Sequence, residues 1–327
     1  MSDKVATRHA YGEALAEFGG KNDKVVALDA DVSTCTMSCF FGEGNCDRLV
    51  NVGIAEANMI GMAASMATLG LIPFVHSFAM FTAGRGFDQI RNSIAYPGLN
   101  VKIVGTHAGL TIGEDGPTHQ CLEDIGIMRT IPGLTVVCPA DGNETREAVK
   151  AVISHQGPVY LRLGRMAVKT VTDRPGYTFK LGESYQLRDG GDAAIIATGM
   201  MVQLALEAAE ALAKEGIEAR VLNMHTIKPL DRQAVLKAAE DTGLVVTAEE
   251  HNIMGGLGGA VSELVAENRP VPVLKVGVAD TFGKSGAPDA LLEKFGLTSK
   301  AIAAHRTIEI QTAAHQMPTP SQQRATA

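Results

Sequence analysis

A glycine-rich stretch, residues 105–120, holds the densest group of polar side chains that could do chemistry. It contains four glycines and a proline, together with two histidines and two acids, His107, Glu114, Asp115 and His119. Histidines and carboxylates can bind a polyhydroxylated substrate or move protons near neutral pH. A solvated surface loop is the alternative interpretation. Because the stretch directly follows the strand-like segment Val101–Val104, we favour a ligand-binding loop at the carboxyl end of a strand.

A second candidate is Glu56, which opens a long segment without charge. The next Asp, Glu, Lys or Arg after it is Arg85. A carboxylate at a helix start can cap the backbone N–H groups of the first turn. It can equally well have a functional role in a pocket of low polarity, where one hydrogen bond to a ligand is stronger than in water. The residue pattern leaves both explanations open.

Aromatic residues are scarce, yet three of the ten phenylalanines fall within eight residues, at Phe74, Phe78 and Phe81. Most aromatic clusters are part of the hydrophobic core. The functional alternative is a flat pocket for a heteroaromatic ring.

Apolar strand-like runs alternate with helix-like runs along the chain, which predicts parallel sheets covered on both faces. The predicted strands of the first half are Val25–Leu28, Leu71–Val75, Val101–Val104, Leu134–Val137 and Val159–Leu163. Its predicted helices are Thr7–Phe18 (capped by Thr7), Ala57–Leu69, Asp88–Ala95 and Glu144–Ile153. The second half predicts strands Asp192–Ala197, Glu218–Asn223, Leu244–Glu249 and Val271–Val276, with helices Val202–Glu215, Asp231–Glu240 and Leu257–Glu267. The fold class is therefore α/β with two doubly wound domains.

Loss of this alternation marks the predicted boundaries. We expect a first domain over residues 5–166, a linker over 167–186, a smaller second domain over 187–312 and a flexible tail over 313–327. Within the second domain, Gly255–Gly259 follows a strand and opens a helix. The dinucleotide-binding pattern is incomplete there because Val261 replaces its third glycine, so we predict close helix–strand packing instead.

Charge and cysteine content exclude several classes of function. A net charge of −7 without a Lys/Arg cluster argues against a nucleic-acid or anionic-membrane surface. The uncharged run after Glu56 is interrupted by Gly70 and Pro73, so a buried helix and strand are favoured over a membrane span. Five cysteines and a polar amino terminus predict free thiols in the cytoplasm.

No standard metal-binding pattern is present in the sequence. Cys35, Cys39 and Cys46 do not have the spacing of a zinc framework. His107, Asp115 and His119 include no His-x-His or His-x₃-His pair. We therefore predict that this chain supplies no metal ligands.

Three segments together resemble the C-terminal half of transketolase. They are Gly53-Ile-Ala-Glu56, the run from Phe78 through Arg85 to Arg91, and Gly113-Glu-Asp-Gly-Pro-Thr-His-Gln120. The resemblance covers roughly residues 5 to 310 and implies a pyrimidine-binding domain followed by a transketolase C-terminal domain. It also implies thiamine diphosphate and Mg²⁺ as cofactors and the transfer of a two-carbon ketol unit between sugars or sugar phosphates.

The resemblance assigns roles to individual residues. Glu56 corresponds to the glutamate that hydrogen-bonds N1′ of the cofactor's aminopyrimidine and so promotes its activation. Phe78 and Phe81 correspond to aromatic residues packed on that ring, and Asp31 to an aspartate near the cofactor. The resemblance further implies that His107, Asp115 and His119 bind the sugar hydroxyls. It also implies that His119 moves a proton and that Arg165 binds a sugar phosphate. The catalytic candidates are therefore Glu56, His119 and His107.

Two departures from the family pattern qualify this assignment. Cys35 occupies the position of a serine that helps to hold the substrate phosphate, and a thiol is a poor donor to an anion. The Gly-Asp-Gly motif that binds Mg²⁺ and the diphosphate is absent from the sequence. We therefore expect a separately encoded N-terminal subunit to hold both, in an α₂β₂ assembly in which this chain also self-associates.

Three alternatives stay open from the sequence. They are a β subunit like that of 2-oxoacid dehydrogenase E1, a relative of deoxyxylulose-phosphate synthase, and a non-catalytic structural subunit. In the second domain, Glu249-Glu-His251 resembles a family segment for which we predict a contact between copies of the chain rather than a part in bond making.

Overall fold

Two mostly parallel sheets organise the protein, whose computed structural model describes residues 4–304. The strands are, in chain order, β1 (Val5–Ala6), β2 (Val25–Asp29), β3 (Leu49–Asn51), β4 (Ile72–Phe78), β5 (Lys102–Thr106), β6 (Thr135–Val137), β7 (Val159–Arg162), β8 (Ala167–Val168), β9 (Tyr185–Arg188), β10 (Ala193–Ala197), β11 (Ala219–Asn223), β12 (Thr226–Lys228), β13 (Val245–Asn252) and β14 (Val273–Val278).

The helices lie between these strands. They are α1 (Thr7–Ala14), α2 (Ser33–Thr36), α3 (Cys39–Gly44), α4 (Glu56–Thr68), α5 (Ala79–Arg85), α6 (Phe87–Gln89), α7 (Asp124–Arg129), α8 (Gly142–Ser154), α9 (Met201–Ala213), α10 (Arg232–Thr242), α11 (Leu257–Asn268) and α12 (Pro288–Lys294). Two π-helical segments, Leu15–Gly19 and Ile90–Ala95, prolong α1 and α6, and 3₁₀ turns occur at Cys46–Arg48 and Leu110–Asp115.

The first sheet has seven strands in the order β12-β6-β7-β5-β4-β2-β3. All neighbours are parallel except β12 with β6. The chain leaves β2 toward β3 on one side and returns to β4 on the other. At such a switch of direction the loops after two adjacent strands diverge and leave a crevice at the carboxyl edge. The carboxyl ends of β2, β3, β4, β5 and β7, and the loops that follow them, therefore position the residues singled out in the sequence.

The second sheet has five strands in the order β14-β13-β10-β11-β9, with β9 as the antiparallel edge. Its central strand β10 is buried throughout, as expected for a strand covered on both faces. The prediction of an α/β fold with two doubly wound domains is confirmed. Each predicted strand is present with ends that differ by at most three residues.

Several elements differ from the prediction or were not predicted. The Thr7 side chain does not cap α1, because its hydroxyl accepts a hydrogen bond from Gly164 N (2.8 Å) instead. Strand β12 lies between β11 and α10 in sequence but pairs with β6 of the first sheet. With only three residues, β12 carries no alternation that a sequence pattern could detect.

The segment between the two sheets is irregular except at its start. There, β8 pairs antiparallel with β1, which fastens the beginning of the segment to the amino-terminal strand. Residues 169–184 contain neither helix nor strand. The predicted tail, 313–327, lies outside the described residues.

The long uncharged run after Glu56 forms the helix α4 and the buried strand β4, as predicted. Among residues 4–304, no helix is both long enough and apolar enough to cross a membrane.

Candidate active site

Glu56 is the first residue of α4 and lies at the carboxyl edge of the first sheet. Its side chain is buried, and both carboxylate oxygens take partners from outside α4. Oε1 accepts a hydrogen bond from Ser77 Oγ at the end of β4 (3.0 Å), and Oε2 lies 3.3 Å from Arg85 Nη1 on α5. These contacts favour a pocket role over the capping role that the sequence left open.

Phe78 and Phe81 form one wall beside this carboxylate. Their rings are nearly parallel, at 17°, with centroids 5.9 Å apart. Phe74, by contrast, is fully buried in the core, so the aromatic run of the sequence divides into one core residue and a pair at the site. The pair, Glu56 and Asp31 border a cleft of about 390 Å³. A flat ring beside a carboxylate fits such a cleft.

Asp31 lies at the rim of the cleft and is exposed, with a positive φ of 65°. Its carboxylate accepts a hydrogen bond from Asn51 Nδ2 (2.8 Å). The loop that carries it is held by Asp29, whose role the sequence analysis did not identify. Asp29 is fully buried and accepts hydrogen bonds from Val32 N (2.6 Å), Thr36 Oγ1 (2.8 Å) and Ser38 Oγ (2.8 Å). The available signal was a single acid at the end of an apolar strand.

His107 follows β5, is buried, and stacks against Phe78 with centroids 4.1 Å apart. Arg8 Nη1 donates to its Nε2 (3.0 Å), so the ring proton resides on Nδ1, which faces Thr106 Oγ1 at 2.8 Å. Burial, together with the charges of Arg8 and Arg165, lowers the pKa of His107 to about 3. The imidazole is therefore neutral at physiological pH.

Arg8 was not identified from the sequence, because it lies outside every motif, on the first turn of α1. Besides His107, it donates to the backbone oxygen of Cys35 (2.7 Å). Burial and the neighbouring Arg165 lower its pKa from the usual value for arginine. Arg8 and Arg165 are thus two guanidinium groups close enough to repel one another, and together they suit an anion.

The predicted substrate residues of the loop 105–120 come together with Arg165. Arg165 Nη1 lies 3.3 Å from Asp115 Oδ2 and also donates to the backbone oxygen of Ile112. His119 is partly exposed, borders the cleft, and contacts the edge of Phe81 with centroids 5.2 Å apart. The structure therefore brings every residue to which the resemblance assigns a role to one edge of the first sheet.

Metal ligands are not among these groups. Within the part of the chain that the structure describes, no set of three or more His, Cys, Asp and Glu side chains is arranged to hold a metal ion. His107 is unsuited to that role here because its Nε2 already accepts from Arg8.

The second domain contacts the loop 105–120 through strand β13. Glu250 is buried and accepts a hydrogen bond from Thr111 N (2.7 Å), which links β13 to the loop 105–120. Glu249 accepts from Leu257 N and Gly258 N at the start of α11. All three side chains of Glu249–His251 are buried within the chain, and the contact between copies stays a prediction.

The glycine-rich turn before α11 serves packing, as predicted. A Cβ atom on Gly256 would lie 2.0 Å from Glu249 Oε2, and one on Gly258 would lie 2.8 Å from Thr247 Oγ1. Larger residues would push α11 away from β13.

Comparison with known families matches both halves of the chain. Residues 3–170 match the family described as transketolase, pyrimidine binding domain, and residues 182–302 match transketolase, C-terminal domain. The chain belongs to the transketolase family. The two matches follow one another as in the C-terminal part of the family, and together they include every site residue described above.

Individual members of the transketolase family are similar over nearly the whole chain. The 6-deoxy-6-sulfo-D-fructose transketolase subunit SqwH of Clostridium sp. (strain MSTE9) is 49% identical over 92% of this chain and 94% of its own. A putative transketolase C-terminal section of Methanocaldococcus jannaschii is 46% identical over 90% and 93%. A solved split-gene transketolase, described as an inactive β4 tetramer, is 48% identical with a TM-score of 0.85 over 93% and 98%. The chain therefore corresponds to the C-terminal part of the transketolases.

Transketolases depend on thiamine diphosphate, and the residues present fit one part of it. The nearly parallel Phe78–Phe81 pair and the buried Glu56 carboxylate suit an aminopyrimidine ring. In the described range, 4–304, no metal-binding cluster is available to hold Mg²⁺ for the diphosphate. The cleft therefore fits the pyrimidine half of the cofactor.

Proposed function

We propose that this chain is the β subunit of a split transketolase that works as an α₂β₂ heterotetramer in the cytoplasm. It transfers a two-carbon ketol unit from a ketose to an aldose, and a separate N-terminal subunit holds Mg²⁺ and the diphosphate. The observation that carries the proposal is the buried Glu56 carboxylate beside the Phe78–Phe81 pair at a cleft of about 390 Å³. Five free cysteines are consistent with a reducing compartment.

In this proposal, the pyrimidine is held by three side chains of this chain. Glu56 hydrogen-bonds a ring nitrogen, and Phe78 and Phe81 pack against the ring. Bound there, thiamine diphosphate supplies the carbon nucleophile that accepts the ketol unit. The role of the chain is to fix the ring's orientation and to keep water away from one side of it, as preorganised sites do.

The two histidines have different roles in this proposal. His107 is neutral and therefore does not exchange protons in this proposal; its Nε2 binds a substrate hydroxyl in exchange for the present contact with Arg8. His119 is partly exposed at the cleft and is therefore the better candidate for moving a proton to or from the substrate. We further propose that Asp115, paired with Arg165, accepts a hydrogen bond from a sugar hydroxyl.

The far end of the substrate carries an anion in this proposal. Arg8 and Arg165 supply the positive charge, and Arg8 holds the backbone of Cys35 beside it. One relative is named for a ketose with a terminal sulfonate, 6-deoxy-6-sulfo-D-fructose. We therefore propose ketoses with a terminal phosphate or sulfonate as substrates of this chain.

The anion site is tested with the substitution Arg8→Met in the assembled enzyme. Loss of a charge-assisted hydrogen bond, about 1.5–3 kcal/mol, predicts a KM for the anionic ketose raised about 10- to 100-fold. An uncharged ketose is the control substrate, and its KM is expected to change only a few-fold. An equal rise for both ketoses would contradict an anion site at Arg8.

Assembly is tested by titrating thiamine diphosphate and Mg²⁺ into this chain alone and into its mixture with an N-terminal transketolase subunit from the same source. We expect tight binding and ketol transfer in the mixture only. Tight binding and turnover by the isolated chain would contradict the split arrangement. Binding by neither would favour a non-catalytic subunit.

A further inference from the structure

Arg85 contacts both the Glu56 carboxylate and the Phe81 ring, the two groups on which the proposed pyrimidine site depends. Its Nη1 is 3.3 Å from Glu56 Oε2, and its guanidinium carbon is 4.4 Å from the centre of the Phe81 ring. It is also the first charged residue after Glu56 in the sequence, at the end of α5. Arg85 thus joins the carboxylate and the aromatic wall of the cleft with one side chain.

The chemistry of a guanidinium group resembles what the cleft is proposed to bind. It is planar, presents N–H donors along its edge, and stacks on aromatic rings. An aminopyrimidine likewise needs a hydrogen-bonding partner at its edge and an aromatic surface beside its face. Ser77 donates to Glu56 Oε1 and Arg85 donates to Oε2, so both carboxylate oxygens already have a partner in the free chain.

The contacts of Arg85 are also of a kind that can be exchanged. Its side chain is 55% exposed, whereas that of Glu56 is 3% exposed. Ion pairs and cation–π contacts of an exposed cation are individually weak, and the long side chain can turn toward solvent. The carboxylate therefore stays in place while its partner can be replaced.

We infer that Arg85 closes the pyrimidine site of the free subunit by occupying Glu56 and Phe81, and that it must leave both before the cofactor's ring binds. This inference rests on the proposed function. Its consequence is that the Arg85–Glu56 ion pair and the bound pyrimidine exclude one another. Arg85 therefore lowers the affinity of the free chain for the cofactor's ring.

The test uses thiamine, which has the pyrimidine without the diphosphate, titrated calorimetrically into the full-length chain alone. The variants are R85A, R85K, which keeps the charge, and R91A. The last is a matched control because Arg91 is an exposed arginine of the next helical segment whose hydrogen bond goes to Asn92. Thermal unfolding of each variant checks that the fold is retained.

We expect R85A to bind thiamine about tenfold more tightly than the unaltered chain, with R91A unchanged and R85K between them. Tenfold corresponds to about 1.4 kcal/mol. Equal or weaker binding by R85A would overturn the inference, as would the absence of binding by any variant at millimolar thiamine. Weaker binding would instead make Arg85 a group that holds the ring.

A parallel titration of thiamine diphosphate into the mixture with the N-terminal subunit separates the two proposals. If the mixture binds and R85A alone behaves like R91A, the inference about Arg85 fails and the proposed function stands. If the mixture does not bind, the proposed function fails, and the inference fails with it.

Discussion

Two buried carboxylates near the starts of helices show what distinguishes a site from a structural contact. Glu56 begins α4, and Glu144 lies in the first turn of α8. Glu144 accepts hydrogen bonds from Ala140 N (2.6 Å), from Asn223 Nδ2 (2.7 Å) and from the Tyr177 hydroxyl. Glu56 has two side-chain partners, one of them largely exposed, and borders a cleft.

The partners of Glu144 explain its role. Ala140 precedes α8 in the first domain, Tyr177 belongs to the irregular segment between the sheets, and Asn223 ends β11 in the second domain. The carboxylate therefore joins three parts of the chain and is fully buried. Burial at a helix start is common to both residues, so burial alone does not indicate function. Glu56 differs from Glu144 in bordering a cleft next to a pair of aromatic rings.

Glu56→Gln gives the largest expected effect. Loss of the carboxylate should lower the ketol-transfer rate of the assembled enzyme about 10²- to 10⁴-fold, the range for a group that assists proton transfer. The free energy of unfolding should change little, because the amide still accepts from Ser77. Steady-state kinetics and thermal unfolding measure the two effects. A large loss of stability with an unchanged rate would make Glu56 a structural residue like Glu144.

Glu144→Gln should alter stability as a function of pH. Burial raises the pKa of Glu144 to about 7 from an ordinary value of 4.5. The fold therefore prefers the protonated carboxyl, and this contribution is complete below pH 4.5 and is lost as the pH rises through 7. This difference in pKa corresponds to at most about 3 kcal/mol in the free energy of unfolding.

Denaturant unfolding at several pH values measures this contribution. We expect the unaltered chain to lose stability relative to E144Q between pH 4.5 and 7. Glu147→Gln is the control on the same helix, since Glu147 is partly exposed and pairs with Lys150. Parallel pH curves for the chain and E144Q would show that Glu144 does not titrate in this range.

The smallest effects are expected from removing one hydroxyl group that donates a hydrogen bond to each carboxylate. Ser77→Ala removes a donor to Glu56 and should lower the rate a few-fold with little change in stability. Tyr177→Phe removes a donor to Glu144 and should lower the free energy of unfolding by about 1 kcal/mol with no change in rate. If both variants changed the same property, the two carboxylates would not differ in role.

Much of the fold could be predicted because many of its strands and helices are recognisable from the pattern of apolar residues within each segment. The apolar runs that became β2, β4, β5, β7 and β10 are recognisable without any tertiary information. β12 and α12 were not predicted, because three or seven residues do not establish a period. The site was predicted wherever its residues lie within one continuous segment, as at 105–120.

The contacts that the sequence did not reveal join residues far apart in the chain. Arg8 meets His107 across 99 positions of the chain, and Arg85 meets Glu56 across 29. Arg8 lies in no motif, and the segment that contains Arg85 has no pattern that predicts its contact with Glu56. Only the parallel crossovers of the first sheet bring the ends of β2, β4 and β5 to one edge.

The sequence by itself determined the family, the α/β class and the identity of the loop, the carboxylate and the aromatic pair, because each is encoded in residues close together in the chain. The tertiary structure decided which carboxylate faces a cleft, which histidine is held neutral, and which arginine stands before Glu56. Those properties depend on burial and on charges from distant segments, and both exist only once the sheets have formed.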